Sequence, residues 1–434
     1  LASIDAKNVE QLGFAWQYDL GDPMRGQEAT PIVIDGRMYT SGTWGYVYAL
    51  DAATGKQLWR FDPKPDYFRG RHPCCDLVNR GVAVWKGKVY VASVDGRLHA
   101  LNAATGKQVW EADTIVDHKL PYSSSGAPQI AGSVVVIGNS GADMGHTAVR
   151  GYVSAYDLDT GAFKWRFYTV PPAVGQPYEN PELAQADKTW DPHRKPEFNG
   201  GGTAWDGFAY DPKLNLVYFG TANAAPYDLR QLGPAKLDSL FTASILALDA
   251  ATGRMAWYYQ TTPRDSWDYD SVQKLILADG NRAVADRAVI MQASKNGLFY
   301  VLDRRTGQLL RAHNYVPVNW AEKIDVGGTD RPIKVKAHSP FTVDKAVQAC
   351  PTAMGGKDQQ PVAVDPSNPK IFYSPTNQWC MEDTPLKRTS TQQGSGYAFA
   401  NVYMYEPTPG LAGQLQAFDV DTGKIIWKNP NKYQ

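Results

Sequence analysis

LDAATGKQLW, residues 50–59, decides how this chain folds, because five further stretches repeat it. They are LNAATGKQVW (101–110), YDLDTGAFKW (156–165), LDAATGRMAW (248–257), LDRRTGQLLR (302–311) and FDVDTGKIIW (418–427). Each holds an Asp or Asn whose side chain can accept backbone amides two residues on, followed by a Thr-Gly pair whose glycine tolerates positive φ. That is the chemistry of a tight turn between two antiparallel strands, with apolar flanks such as Val47, Ala49 and Leu58 in the first copy. Trp59, Trp110, Trp165, Trp257 and Trp427 fall at one fixed offset after the turn, as expected of a large ring wedged between neighbouring units.

The turn residues 51, 102, 157, 249, 303 and 419 are separated by 51, 55, 92, 54 and 116 positions. A four-stranded blade needs about 40–50 residues, so the short intervals are single blades and the long ones carry excursions. Pro171–Phe198 and Asn314–Lys345 fit that role. The expected fold is all-β, a β-propeller. GFAWQY (13–18) reads as a strand from the end of a repeat whose beginning is missing, which would complete the last blade. Six phrases and this strand predict six or seven blades in one propeller domain over residues 1–434, with a closing partner beyond residue 434.

At 434 residues and 43% hydrophobic, the chain can bury a large core. Lys and Arg number 44, and so do Asp and Glu, which removes the electrostatic case for nucleic acid or an anionic membrane surface. No apolar run approaches the roughly 20 residues of a membrane helix, and the chain opens at Leu1 without a leader, as a mature or trimmed sequence does. Four cysteines are present. Cys74 and Cys75 are adjacent, and two readings stand: a vicinal disulfide with a distorted peptide, or two buried thiols. Cys350 and Cys380 are expected to form a disulfide stapling a blade insertion, which places the protein in an oxidising compartment, secreted or periplasmic. No C-x-x-C-H occurs, so no covalent c-type haem is attached within these residues.

CCDLVNRG (74–81), GGGTAWDGFAYDP (200–212), GTAN (220–223), DSWDYD (265–270), KNGLFYVLDRRTG (295–307) and PTNQWCM (375–381) together resemble the pyrroloquinoline quinone (PQQ)-dependent alcohol dehydrogenases. The resemblance runs over essentially the whole length and implies an eight-bladed type of propeller with tryptophan-docking motifs. It also implies a flat quinone clamped between a vicinal disulfide, Cys74–Cys75, and the indole of Trp205. Arg80, Ser125, Ser140 and Thr203 match positions that grip the cofactor's carboxylates. Glu28 and Asn377 match further cofactor contacts, and Lys295 matches the basic residue beside the quinone oxygens.

Alcohol oxidation needs a polarised quinone carbonyl, a base and a hydride path. The resemblance assigns the base to Asp268 and the polarisation to a hard cation on oxygen ligands. The matching ligands are Asn223, Asp268 and Asp143, the last an aspartate where the family carries a glutamate. His146 is read as a loop residue, since hard cations prefer oxygen. Asp270 lies two residues after Asp268 and on an extended segment shares its face. This extra acid resembles the lanthanide-dependent branch, so the expected ion is a trivalent lanthanide or Ca²⁺. Asp265 is expected in a solvent-facing turn, and Trp379, Met381 and the region of Trp320 in a pocket lid. The implied partners are a small alcohol and a cytochrome c or fused haem domain. The alternatives are a non-catalytic propeller scaffold, or a PQQ enzyme acting on a polymeric alcohol or by C–H hydroxylation.

Overall fold

The computed structural model describes residues 3–21, 26–71, 73, 76–141, 149–228, 230, 232–234, 236–281, 287–341, 345–365, 368–386 and 400–432. Cys74, Cys75, Asp143 and His146 lie outside the described residues.

Six four-stranded antiparallel sheets form the body, and in each the strands neighbour one another in chain order. Blade I comprises Ile32–Ile34, Arg37–Ser41, Val47–Asp51 and Gln57–Phe61. Blades II to VI run over residues 83–113, 129–168, 208–260, 276–314 and 363–431. The propeller expectation is met, with one repeated phrase forming the last hairpin of each of the six. The 171–198 excursion holds a short helix, Leu183–Asp187, and the 314–345 excursion holds a hairpin of Ala321–Ile324 with Pro332–Lys334. A separate three-stranded sheet joins Val347–Ala349, Cys380–Pro385 and Ala400–Tyr405.

The repeated turn behaves as its residue types dictate. Asp51 Oδ1 accepts the amides of Ala53 and Thr54 and the Thr54 hydroxyl at 3.1, 2.9 and 2.8 Å. Gly55, at φ +72°, donates its N–H to Asp51 O. The phrase also pins the blade's first turn, because Ala52 N donates to Gly36 O at 2.9 Å, and Ala103 N to Gly87 O at 2.8 Å in blade II. Val47 and Ala49 are buried as expected, but Leu58 is exposed. The strand Gln57–Phe61 alternates, and it is Trp59 that faces inward.

The tryptophans dock forward. Trp59 Nε1 donates to Ala103 O at 3.0 Å, Trp110 to Leu158 O at 3.1 Å, Trp165 to Ala250 O at 3.0 Å and Trp257 to Arg304 O at 3.1 Å. In each case the indole lies flat against the turn glycine of the next blade. A Cβ on Gly106 would meet Trp59 Cδ2 at 2.7 Å, and one on Gly253 would meet Trp165 Cδ2 at 2.6 Å. Two expectations need correction. GFAWQY forms no strand, since residues 12–21 are assigned none, yet Trp16 docks in the same way through Nε1 to Ala52 O at 3.2 Å. Trp427 is 42% exposed, so it is not a wedge between described blades. In blade V, where Arg311 stands at the tryptophan position, His313 packs on Gly423 and bonds Asp421 O at 2.7 Å.

Candidate active site

Since both hairpin turns of each blade lie at one end, the connections from strand two to strand three, and from blade to blade, lie at the other. Most of the described candidate residues fall in such connections, or at their edge. Asn223 and Lys295 follow the second strands of blades IV and V, and Asn377 ends that of blade VI. Trp205 precedes blade IV, and Asp265–Asp270 link IV to V. Arg80 and Ser125 lie between blades I and II and between II and III, while Ser140 follows the second strand of blade III. The topology thus gathers residues far apart in sequence at one end of the propeller.

Asp270 is the hub. Its Oδ2 accepts the Trp205 indole N–H at 2.9 Å and its Oδ1 accepts the Asn223 amide at 2.6 Å. Lys295 Nζ stands between the two acids, 3.3 Å from Asp268 Oδ1 and 3.9 Å from Asp270 Oδ2. Asp268 has φ +68°, left-handed backbone for a residue with a side chain.

Behind this group lies a polar wall. The Arg80 guanidinium sits 4.5 Å from the centre of the Trp205 ring, its Nη2 pairs with Glu28 Oε2 at 2.9 Å, and its Nη1 donates to Ser125 Oγ at 2.8 Å. Burial pushes the Glu28 carboxyl up from its ordinary pKa, against the opposing pull of Arg80. Asp206, fully enclosed, pairs with Lys274 and stands 4.0 Å from Arg80 Nε. Ser140 faces Ser123 across an isolated bridge, with the two hydroxyls 2.8 Å apart. Thr203 is fully buried. Asn377 takes a structural part: its amides donate to Gly356 O and Gly355 O, and Gly356 N donates in turn to Lys295 O at 2.9 Å.

The segment 351–358, a strap laid over Lys295 through Gly356, carries two residues the sequence reading missed. Lys357, almost wholly buried, donates to Asp358 O at 2.7 Å, and desolvation lowers its amine to a pKa of about 8. Asp358 is half-buried, and burial raises its carboxyl, with the Lys295 charge opposing. No motif announced them, because only the fold carries the strap to Lys295.

Three expectations change. Asp265 is not solvent-facing but buried, and burial pushes it up to about 6. Trp320 and Met381 are fully buried in one apolar core cluster, where Trp320 packs on Trp267 and Tyr269 at ring distances of 5.1 and 5.7 Å, rather than exposed on a loop. Trp379 keeps its indole N–H buried without a partner. The Cys350–Cys380 disulfide is present and ties the strap's start to the three-stranded sheet.

Does this arrangement suit a cofactor rich in carboxylates and carbonyls? Arg80 Nε, Thr203 Oγ1, Asp206 Oδ2 and Asp358 Oδ1 are buried polar atoms without a hydrogen-bond partner in the protein. Such orphans are few in folded chains. Others are spread through the blades, but these four stand on or beside Arg80, Trp205 and Lys295, where a polar ligand would answer them. For a metal, Asp268 and Asp270 supply oxygens within reach of one Lys295 ammonium. Among the described residues no three His, Cys, Asp or Glu side chains form a metal cluster, and Asp143 falls outside them.

The fold and these residues define a quinoprotein-type propeller, and the chain belongs to that family: residues 1–325 match the PQQ glucose/ethanol/alcohol dehydrogenase β-propeller domain. It is similar to quinohemoprotein alcohol dehydrogenase ADH-IIG of Pseudomonas putida, 49% identical over 373 residues, covering 86% of this chain and 51% of that protein. The solved structure of that relative superposes with a TM-score of 0.89 at 42% identity, covering 98% of this chain and 63% of the other. The 1-butanol dehydrogenase (cytochrome c) of Thauera butanivorans is 46% identical over 338 residues, 77% of this chain and 48% of the relative. A europium-containing methanol dehydrogenase superposes with a TM-score of 0.86 at 34% identity, covering 99% of this chain and 75% of that one. The chain therefore spans about half the length of these two curated relatives.

Proposed function

We propose that this chain forms the catalytic propeller of a PQQ-dependent alcohol dehydrogenase that oxidises a small alcohol to an aldehyde or ketone. The observation that carries the reading is the single cluster Asp268–Lys295–Asp270–Trp205, assembled from three separate connections at one end of the propeller. When bound, the quinone supplies a hydride acceptor and a hard cation supplies Lewis acidity. The chain supplies the rest. Asp268 is the base that takes the alcohol proton at its carboxylate, and Lys295 Nζ, 3.3 Å away, orients that carboxylate. Trp205 gives one flat wall, fixed by Asp270 and faced by Arg80, and Cys74 and Cys75 are proposed as the other. Arg80, Ser125, Ser140 and Thr203 answer the cofactor carboxylates, with Glu28 and Asn377 alongside.

Asn223, Asp268, Asp270 and Asp143 are the proposed metal ligands. Three carboxylates from the protein and one from the cofactor balance a trivalent ion better than Ca²⁺, and the europium in the methanol dehydrogenase neighbour supports that choice. Electrons pass to a cytochrome c or a fused haem domain, in keeping with the names of the relatives, and the setting is periplasmic. No helix among the described residues is long and apolar enough to cross a membrane.

The test is reconstitution of the apo protein with PQQ and either La³⁺ or Ca²⁺, read by bound-quinone absorbance and by dye-linked oxidation of short-chain, aromatic and polyol alcohols. A protein that takes up no quinone with either ion refutes the reading.

A further inference from the structure

Asp265 precedes the proposed base by three residues and is 1% exposed. Its two carboxylate oxygens are both engaged by the loop that carries the base: Oδ1 accepts Trp267 N at 3.0 Å and Oδ2 accepts Tyr269 N at 2.6 Å. One enclosed side chain therefore grips an amide on either side of Asp268. Among the described residues no backbone carbonyl accepts from either amide.

Between those two anchors Asp268 adopts φ +68°, a region that a side-chain-bearing residue occupies only when its surroundings hold it there. The side chains on either side show what the turn achieves. Trp267 and Tyr269 point down together, their rings stacked at 5.6 Å, with Trp267 Nε1 donating to His338 O at 2.7 Å and Tyr269 Oη to Pro351 O at 2.6 Å. Asp268 and Asp270 point the other way, toward Lys295. Rings below and acids above require a backbone that reverses sharply at residue 268, and its amides need an acceptor that no strand partner provides.

We infer that Asp265 is a positioning residue for Asp268: by accepting both flanking amides it holds the left-handed backbone that aims the Asp268 carboxylate at Lys295. The inference rests on the reading of Asp268 as the base. Asp265→Asn preserves shape but presents an NH₂ group to one of the two amides, so a single bond remains and the turn relaxes. Loss of alignment at a reacting group by about 1 Å costs on the order of 10²-fold in rate.

The experiment compares Asp265→Asn with the unmodified chain, both loaded with PQQ and metal. Expected are a kcat lower by roughly 30- to 100-fold, a KM within about twofold, and an unchanged absorbance of bound quinone. Amide hydrogen exchange should rise at least about tenfold in the peptide spanning 265–271 and stay unchanged elsewhere. Should Asp265→Asn not accumulate, Asp265→Ser is read in its place, since a hydroxyl also accepts one amide, and the same values are expected. A kcat within threefold of the parent, or a fall in kcat that only tracks loss of bound quinone, overturns the inference. Asp268→Asn separates the two claims. If it stays active, the base assignment fails; if it is inactive while Asp265→Asn is active, the positioning role alone fails.

Discussion

The Trp205 indole donates its N–H to Asp270 Oδ2 at 2.9 Å, so the flat wall and the second acid of the site are one mechanical unit. The same carboxylate holds the Asn223 amide, which fixes a third element to them.

Asp270→Ala strips an acceptor from two buried donors at once. Each orphaned donor costs about 1–3 kcal/mol, so urea denaturation of the apo variant should show a loss of about 2 kcal/mol or more. Reloaded with PQQ, the variant should no longer be activated better by La³⁺ than by Ca²⁺. Undiminished La³⁺ preference would remove the charge argument for the trivalent ion.

Gly106 stands at φ +71°, and a Cβ there would meet Trp59 Cδ2 at 2.7 Å. Gly106→Ala should therefore destabilise the protein by more than about 1 kcal/mol, combining backbone strain with displacement of a docked ring. Thermal unfolding of this variant beside Gly36→Ala, a positive-φ glycine with open space around it, separates the steric part from the backbone part.

Asp383 is buried in the three-stranded sheet with Oδ1 unpartnered, and burial, followed by the charge of Asp228, pushes its pKa up to about 7. The folded state then holds a proton that the unfolded state has lost between roughly pH 4 and 7. Stability should fall as pH rises through that window, by up to about 1.4 kcal/mol per pH unit from this group. Asp383→Asn should flatten the slope, and so be more stable than the parent at pH 7.5 and not at pH 4. Denaturant titrations at the two pH values check this.

The Cys350–Cys380 disulfide spans a sequence separation of 30. Replacing both cysteines by serine should cost about 3–4 kcal/mol by loop entropy and loosen the strap that bears Lys357 and Asp358. Mass mapping of non-reduced peptides tests the bond itself, and hydrogen exchange over residues 351–358 tests the strap.

What the sequence revealed followed from repetition and local chemistry. The D-x-x-T-G turns and four of the docking tryptophans were readable because every part of each signal lies within ten residues. Trp16 and His313 were not, since one sits outside any strand and the other two positions past the expected ring. In the site, Asp268, Asp270, Lys295 and Trp205, picked out from separate motifs, lie in contact with one another. Asp265 was misread as a surface turn because an acid at a turn looks alike whether solvent or enclosed amides answer it. Lys357, Asp358, Lys274 and Asp206 gave no local signal, for the Lys274–Asp206 pair joins residues 68 positions apart and the segment bearing Lys357 and Asp358 reaches Lys295 only through the fold.

The forward-docking rings give the propeller a direction. From blade I to blade V each clasp is carried by one blade while its catch, a bare glycine, belongs to the following one, so neither blade alone holds a complete joint. A graft of blade II into another scaffold would keep its grip only if the recipient's next turn also offered a residue without a side chain, and a swap that respects blade boundaries would cut every joint in half.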